Sequence, residues 1–65
     1  MRVEAEFGSD SNLTSFCNAL QDLDIGFDMD PFERLVVVPT QSQDEQDIVD
    51  LATEHGAEMT IITGE

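Results

Sequence analysis

Cys17, His55 and a row of aspartates are the residues of this chain whose types could do chemistry. A reactive thiol needs nearby positive charge and partial exposure. Cys17 instead falls in the series Leu13, Phe16, Cys17, Leu20, spaced i, i+3, i+4, i+7, the apolar stripe of an amphipathic helix. With only two cations in the chain to lower its pKa, a buried structural cysteine is expected. His55 could serve as a general base or a metal ligand. It is the one histidine, and no serine is placed by the sequence to form a triad with it. The simpler reading is a histidine in the last turn of a helix, where the dipole and the neighbouring Glu54 and Glu58 favour a cation. Asp22, Asp24, Asp28 and Asp30 suggest a calcium loop. An EF-hand with Gly26 at its sixth position would put Gln21, Leu23 and Ile25 at positions 1, 3 and 5, so the motif fails. Alternate aspartates on a strand are more simply a solvated edge that deters pairing with another sheet. No GxGxxG, Walker A or CxxC pattern occurs. The expectation is a protein with no catalytic residue, no metal site and no cofactor, hence not an enzyme.

The charge balance bounds the setting. Fifteen of the 65 residues are Asp or Glu, no residue is Lys, and only Arg2 and Arg34 oppose them, for a net charge of -13. Such a surface repels itself in dilute buffer. At ~1 M salt the Debye length falls to roughly 3 Å and that repulsion is screened. The composition resembles that of haloarchaeal proteins, which implies a salt-rich cytoplasm. Nucleic acid is not an expected partner, because phosphate binding rests on Lys and Arg. An anionic membrane surface is unsuited for the same reason. No apolar run approaches the ~20 residues of a membrane span, and the residues after Met1 show no signal core. The expected localisation is cytoplasmic.

The elements that must position these residues read clearly. Arg2–Phe7 alternates, with Val3, Ala5 and Phe7 on one face, which marks a half-buried strand. Gly8 ends it, and Ser9, Asp10 and Ser11 are candidate N-caps of a helix of three to four turns. Ala19 and Leu23 widen that helix's stripe. Residues 24–29 alternate again, with Ile25, Phe27 and Met29 on one face. Asp30-Pro31 signals a turn. Leu35-Val36-Val37-Val38 reads as a central strand. Two capping boxes, Thr40-x-x-Gln43 and Ser42-x-x-Glu45, compete to start a second helix. In it Ile48, Val49 and Ala52 face inward, with Leu51 beside them. Gly56 is placed as its C′ residue. A last strand follows, in which Ala57, Met59 and Ile61 alternate with Glu58, Thr60 and Ile62.

The order βαββαβ predicts an α+β, ferredoxin-like fold. Its four-stranded antiparallel sheet has order 4-1-3-2 with two helices on one face. The whole chain makes a single domain, residues 1–65. On this reading Leu35 and Val37 face the helices, together with Met59 and Ile61. The open face then carries Arg34, Val36, Val38 and Ile62 among carboxylates, with Arg34 available to Glu4 or Glu6. These four are the candidate interaction surface, since clustered exposed apolar residues mark partner sites.

The run Phe7-Gly8 into a helix, followed by Leu20-Gln21-Asp22-Leu23-Asp24-Ile25-Gly26-Phe27, resembles the small regulatory ACT domains. The resemblance implies amino-acid binding at a loop between the first strand and the first helix. The corresponding ligand-binding residues here would be Gly8, Ser9, Asp10 and Ser11. The Asp-Arg-Pro-Gly that precedes the helix in that family is missing. A domain of this length buries only ~60% of its unfolded surface, and with one cysteine it has no internal disulfide. The favoured expectation is therefore a protein-interaction module, binding a protein partner or forming a weak homodimer. The alternative is a regulatory domain for a small ligand, and a small enzyme or metal carrier ranks third.

Overall fold

A computed structural model describes residues 2–40 and 44–64. The elements are β1 (Arg2–Phe7), α1 (Asp10–Asp22), β2 (Asp28–Asp30), β3 (Leu35–Pro39), α2 (Glu45–Glu54) and β4 (Ala57–Thr63). The four strands form one antiparallel sheet in the order β2-β3-β1-β4. Helix α1 packs over β1 and β3, and α2 over β1 and β4. This is the ferredoxin-like fold expected from the element order.

One layer of side chains between helices and sheet makes the core. Strand β1 contributes Val3, Ala5 and Phe7, and α1 contributes Leu13, Phe16, Cys17 and Leu20. Val36 and Val38 come from β3, Ile48 and Ala52 from α2. Burying one such large side chain is worth about 1.5–3 kcal/mol. The rings of Phe7 and Phe16 sit at the centre, 5.2 Å apart and tilted. Ile25, Phe27, Val49, Leu51 and Ala57 close the layer at its margins.

Local chemistry sets the helix ends. Ser9 is extended (φ -143°) and its Oγ accepts the Asn12 N–H at 3.2 Å, so of the three candidates it is the N-cap of α1. At the other end the Ile25 N–H reaches the Leu20 carbonyl and the Asp24 N–H reaches that of Gln21. These two bonds define a Schellman motif, with Asp24 as the left-handed C′ residue (φ 61°). Residues 24 and 25 therefore close the helix, and β2 shrinks to three residues. Leu23, expected in the apolar stripe, is the C-cap and stands exposed. Helix α2 starts at Glu45, with Asp44 as its N-cap residue and no side-chain cap bond; the two expected capping boxes include Ser42 and Gln43, which lie outside the described residues. It ends as expected, with Gly56 left-handed (φ 87°).

The facing of β3 and β4 differs from expectation. Val36 is 0% and Val38 1% exposed, opposite the core residues Ala5 and Val3. They belong to the core and not to the open face. Leu35 and Val37 face outward instead, opposite Glu6 and Glu4. The run Leu35–Val38 has no polar residue to show its phase, and a slip of one residue exchanges the faces. Arg34 cannot extend the alternation backwards, because its φ of 53° takes it out of the strand. In β4 the cause is a bulge. Phe7 pairs with Ala57 but Glu6 pairs with Met59, so Glu58 is the extra residue and the parity changes there. Thr60 and Ile62 consequently share the helix-side face, and Met59 and Ile61 share the open one.

These facings predict opposite outcomes for two equal substitutions. Val36→Thr buries a hydroxyl in the core and should cost about 1–3 kcal/mol. Val37→Thr on the open face should stay within about 0.5 kcal/mol of the parent. Urea denaturation of both proteins in high salt measures the difference; equal midpoints would contradict these facings, and a lower midpoint for Val37→Thr would place β3 the other way round.

Candidate functional site

The groups singled out by type do not converge. Cys17 faces the core from α1, and burial pushes its thiol above its ordinary value of 9.0. A thiol raised by desolvation is a poor nucleophile at neutral pH.

His55 ends α2 as its C-cap, with its N–H bonded to the Leu51 and Ala52 carbonyls. Its Nδ1 lies 2.7 Å from Ser15 Oγ on α1. The fold thus brings together a serine and a histidine forty positions apart, a contact that sequence spacing gave no means of seeing. A working nucleophile–base pair also needs a third group to orient the imidazole and donors for an oxyanion. Among the described residues nothing hydrogen-bonds to His55 Nε2. The contact instead joins the two helices where Asn12 approaches Gly56 and the His55 ring approaches Phe16.

Of the expected ligand loop, Gly8 and Ser9 join β1 to α1 while Asp10 and Ser11 lie in the first turn of α1, and internal contacts hold the stretch. Ser9 Oγ caps the helix. Asp10 Oδ1 receives the Arg34 Nε–H at 2.9 Å. That carboxylate also lies in the first turn of α1, where the helix dipole favours it. The Glu58 carboxylate leans over Gly8 so closely that a methyl group there would collide with it. Ser11 stays exposed at the rim of a shallow depression shared with Ser15, Asn18 and His55. Arg34 was expected to reach Glu4 or Glu6. Its left-handed backbone turns it to Asp10 instead, and it is Arg2 that meets Glu4, at 3.4 Å.

The carboxylates do not gather into a metal site. Among the described residues no three His, Cys, Asp or Glu side chains are placed to hold an ion. A second depression lies between α2 and the end of α1, with Ile25, Ile48 and Leu51 inside and Asp44, Asp47 and Asp50 around it.

The open face of the sheet has the most organised chemistry. Pairing sets its rows: Asp28, Val37, Glu4 and Ile61 in one, Asp30, Leu35, Glu6 and Met59 in the next. Two apolar columns, Leu35 with Val37 and Met59 with Ile61, therefore flank an acidic column of Glu4 and Glu6. Met59 is 52% and Ile61 42% exposed. Phe32, at the tip of the β2–β3 turn, is 96% exposed. That turn is held by Asp30 Oδ1, which accepts the Phe32 and Glu33 N–H groups. Of the expected interaction residues, Val36 and Val38 are buried, Arg34 is paired with Asp10, and Ile62 is exposed on the helix side of β4.

Compared with protein-family models, curated proteins and solved structures, the chain matches none. Among the described residues no helix is long and apolar enough to cross a membrane.

The raised thiol carries a prediction with a definite sign. Between the unfolded and folded pKa values of Cys17 the unfolded chain has lost the proton and the folded chain has kept it. Stability should therefore be full below about pH 9 and fall as pH rises above it. Denaturation midpoints across that range should show the fall in the parent and a smaller one in Cys17→Ala. Native protein should also label slowly with a thiol reagent and denatured protein fast. Fast native labelling would mean that α1 presents a different face.

Proposed function

We propose that this chain is a protein-interaction module, not an enzyme, and that it binds through the open face of its sheet. The observation that carries the reading is the pair of apolar columns on that face, which no element among the described residues covers. Clustered apolar surface of this kind favours a partner. The intervening Glu4 and Glu6, with Asp28 and Asp30 at the side, favour one whose contact surface sets Lys or Arg between apolar residues. A second copy docked face to face would oppose carboxylate to carboxylate, so the partner on this face is a different protein. The same carboxylates argue against RNA, whose recognition on such sheets uses aromatic and basic residues. Phe32 adds an exposed aromatic at one corner, the type of side chain enriched in interfaces. The ligand-domain reading has weaker support, because Ser9 and Asp10 are already engaged within the chain.

Leu35→Thr with Val37→Thr removes one apolar column while keeping strand-forming residues. Immobilised parent and double variant, both folded by circular dichroism, are to be compared for proteins retained from a native extract at ~1 M salt. A partner with a basic contact surface should be held by the parent and depleted with the variant. Identical retention by both would remove the open face from the account. Backbone shifts at Gly8, Ser9, Asp10 and Ser11 on adding free amino acids would favour the small-ligand module instead.

A further inference from the structure

The sheet has two edges, and they are built differently. β2 is three residues long, two of them aspartates, and Pro31 follows it. Short length, charge and proline are what keep an edge from pairing. β4 is seven residues long and contains no proline and no cation. Its single charge, Glu58, sits in the bulge at one end. From Met59 to Thr63 the strand is uncharged, in a chain with fifteen carboxylates. Ile61 and Ile62, both more than two-fifths exposed, lie on it beside Met59.

The hydrogen-bond pattern shows which backbone groups this edge offers. The Phe7 N–H donates to the Arg34 carbonyl, so Phe7, Ala5 and Val3 turn their peptide groups toward β3. Glu4 and Arg2 then turn theirs toward β4, where they meet Ile61 and Thr63. Thr60 and Ile62 are left with N–H and C=O directed away from the sheet.

The geometry points to β4 pairing with β4 of a second copy, antiparallel, about a two-fold axis at Ile61. In that register Thr60 lies opposite Ile62 of the second copy, and Ile62 opposite its Thr60. The outward peptide groups of both chains then satisfy one another. Ile61 meets its own equivalent as a close, non-hydrogen-bonded pair on the open face, and Met59 meets Thr63. Glu58 falls opposite Gly64, so among the described residues no carboxylate is paired directly with another across the seam. The bulge at Glu58 ends the pairing there. A second copy is the occupant because this is the strand on which two chains so acidic can approach without opposing their charges. The remaining repulsion between the copies is long-range and disappears as salt is raised. The seam shares Met59 and Ile61 with the open face, whereas Leu35 and Val37 lie two strands away on β3 and belong to the open face alone.

Sedimentation at ~1 M salt should show a reversible dimer whose population falls on dilution and on desalting. Thr60→Pro removes an N–H that the monomer does not use, and proline is tolerated at such an edge. It should keep the circular dichroism of the parent and weaken dimerisation at least about tenfold. Under mild oxidation Ile61→Cys should cross-link to its equivalent, whereas Met59→Cys, far from its own equivalent in this register, should not. A parent that stays monomeric at millimolar concentration overturns the proposal. So does a folded Thr60→Pro that dimerises like the parent, or cross-linking through Met59→Cys in preference to Ile61→Cys. Should Thr60→Pro fail to fold, the two cysteine variants decide alone. Leu35→Thr with Val37→Thr should leave the dimer unchanged, which keeps this result separate from the test of the open face.

Discussion

One apolar layer holds this protein against its own charge. Its buried residues are all hydrophobic, and no polar or charged side chain among the described residues is buried with them. The carboxylates lie outside it, with Arg2 and Arg34 as the opposing cations. Among the described residues the two ion pairs are Arg2 with the half-buried Glu4 and Arg34 with Asp10, both at the surface. Pairs of that kind contribute roughly 0–1 kcal/mol, and leave most of the negative charge unanswered. Helix α2 shows the consequence locally, since Asp47, Asp50 and Glu54 recur at spacings where like charges repel. The fold therefore depends on how completely a single layer is packed and on how far the solution screens what surrounds it.

That dependence explains why some of the structure can be read from the residues and some cannot. Where apolar and polar positions alternate without interruption, as in Arg2–Phe7, or repeat with helical spacing, as from Leu13 to Leu20, the buried face follows directly. Leu35–Val38 gives no such signal. All four residues are apolar, and only the three-dimensional packing of β3 beneath α1 selects Val36 and Val38. β4 does alternate, but the bulge at Glu58 exchanges its faces midway. Asp24 looks like the start of a strand and is a left-handed helix terminator, a position where glycine or asparagine is the usual occupant. The Ser15–His55 contact lies between two helices, and its partners are too far apart in sequence for any spacing argument.

The same facts shape the functional account. Turning Val36 and Val38 inward puts Leu35 and Val37 on the open face, and the bulge adds Met59 and Ile61 to it. The exposed apolar residues of the open face are thus Leu35, Val37, Met59 and Ile61, and the expected Val36 and Val38 belong to the core. A small domain gains stability when a partner covers such surface. The acidic column between the apolar ones makes the face unsuitable for a second copy, while the uncharged stretch of β4 suits one at the sheet edge.

Thermal stability as a function of salt tests the balance most directly. Raising salt from about 0.1 M to ~1 M shortens the Debye length from roughly 10 Å to 3 Å. The melting temperature, followed by circular dichroism on protein dilute enough to be monomeric, should rise across that range and then level off. The rise should shrink in Asp47→Asn with Asp50→Asn and Glu54→Gln, which removes charge and leaves the buried layer untouched. A melting temperature that does not move with salt, or a rise of equal size in the neutralised variant, would contradict the account.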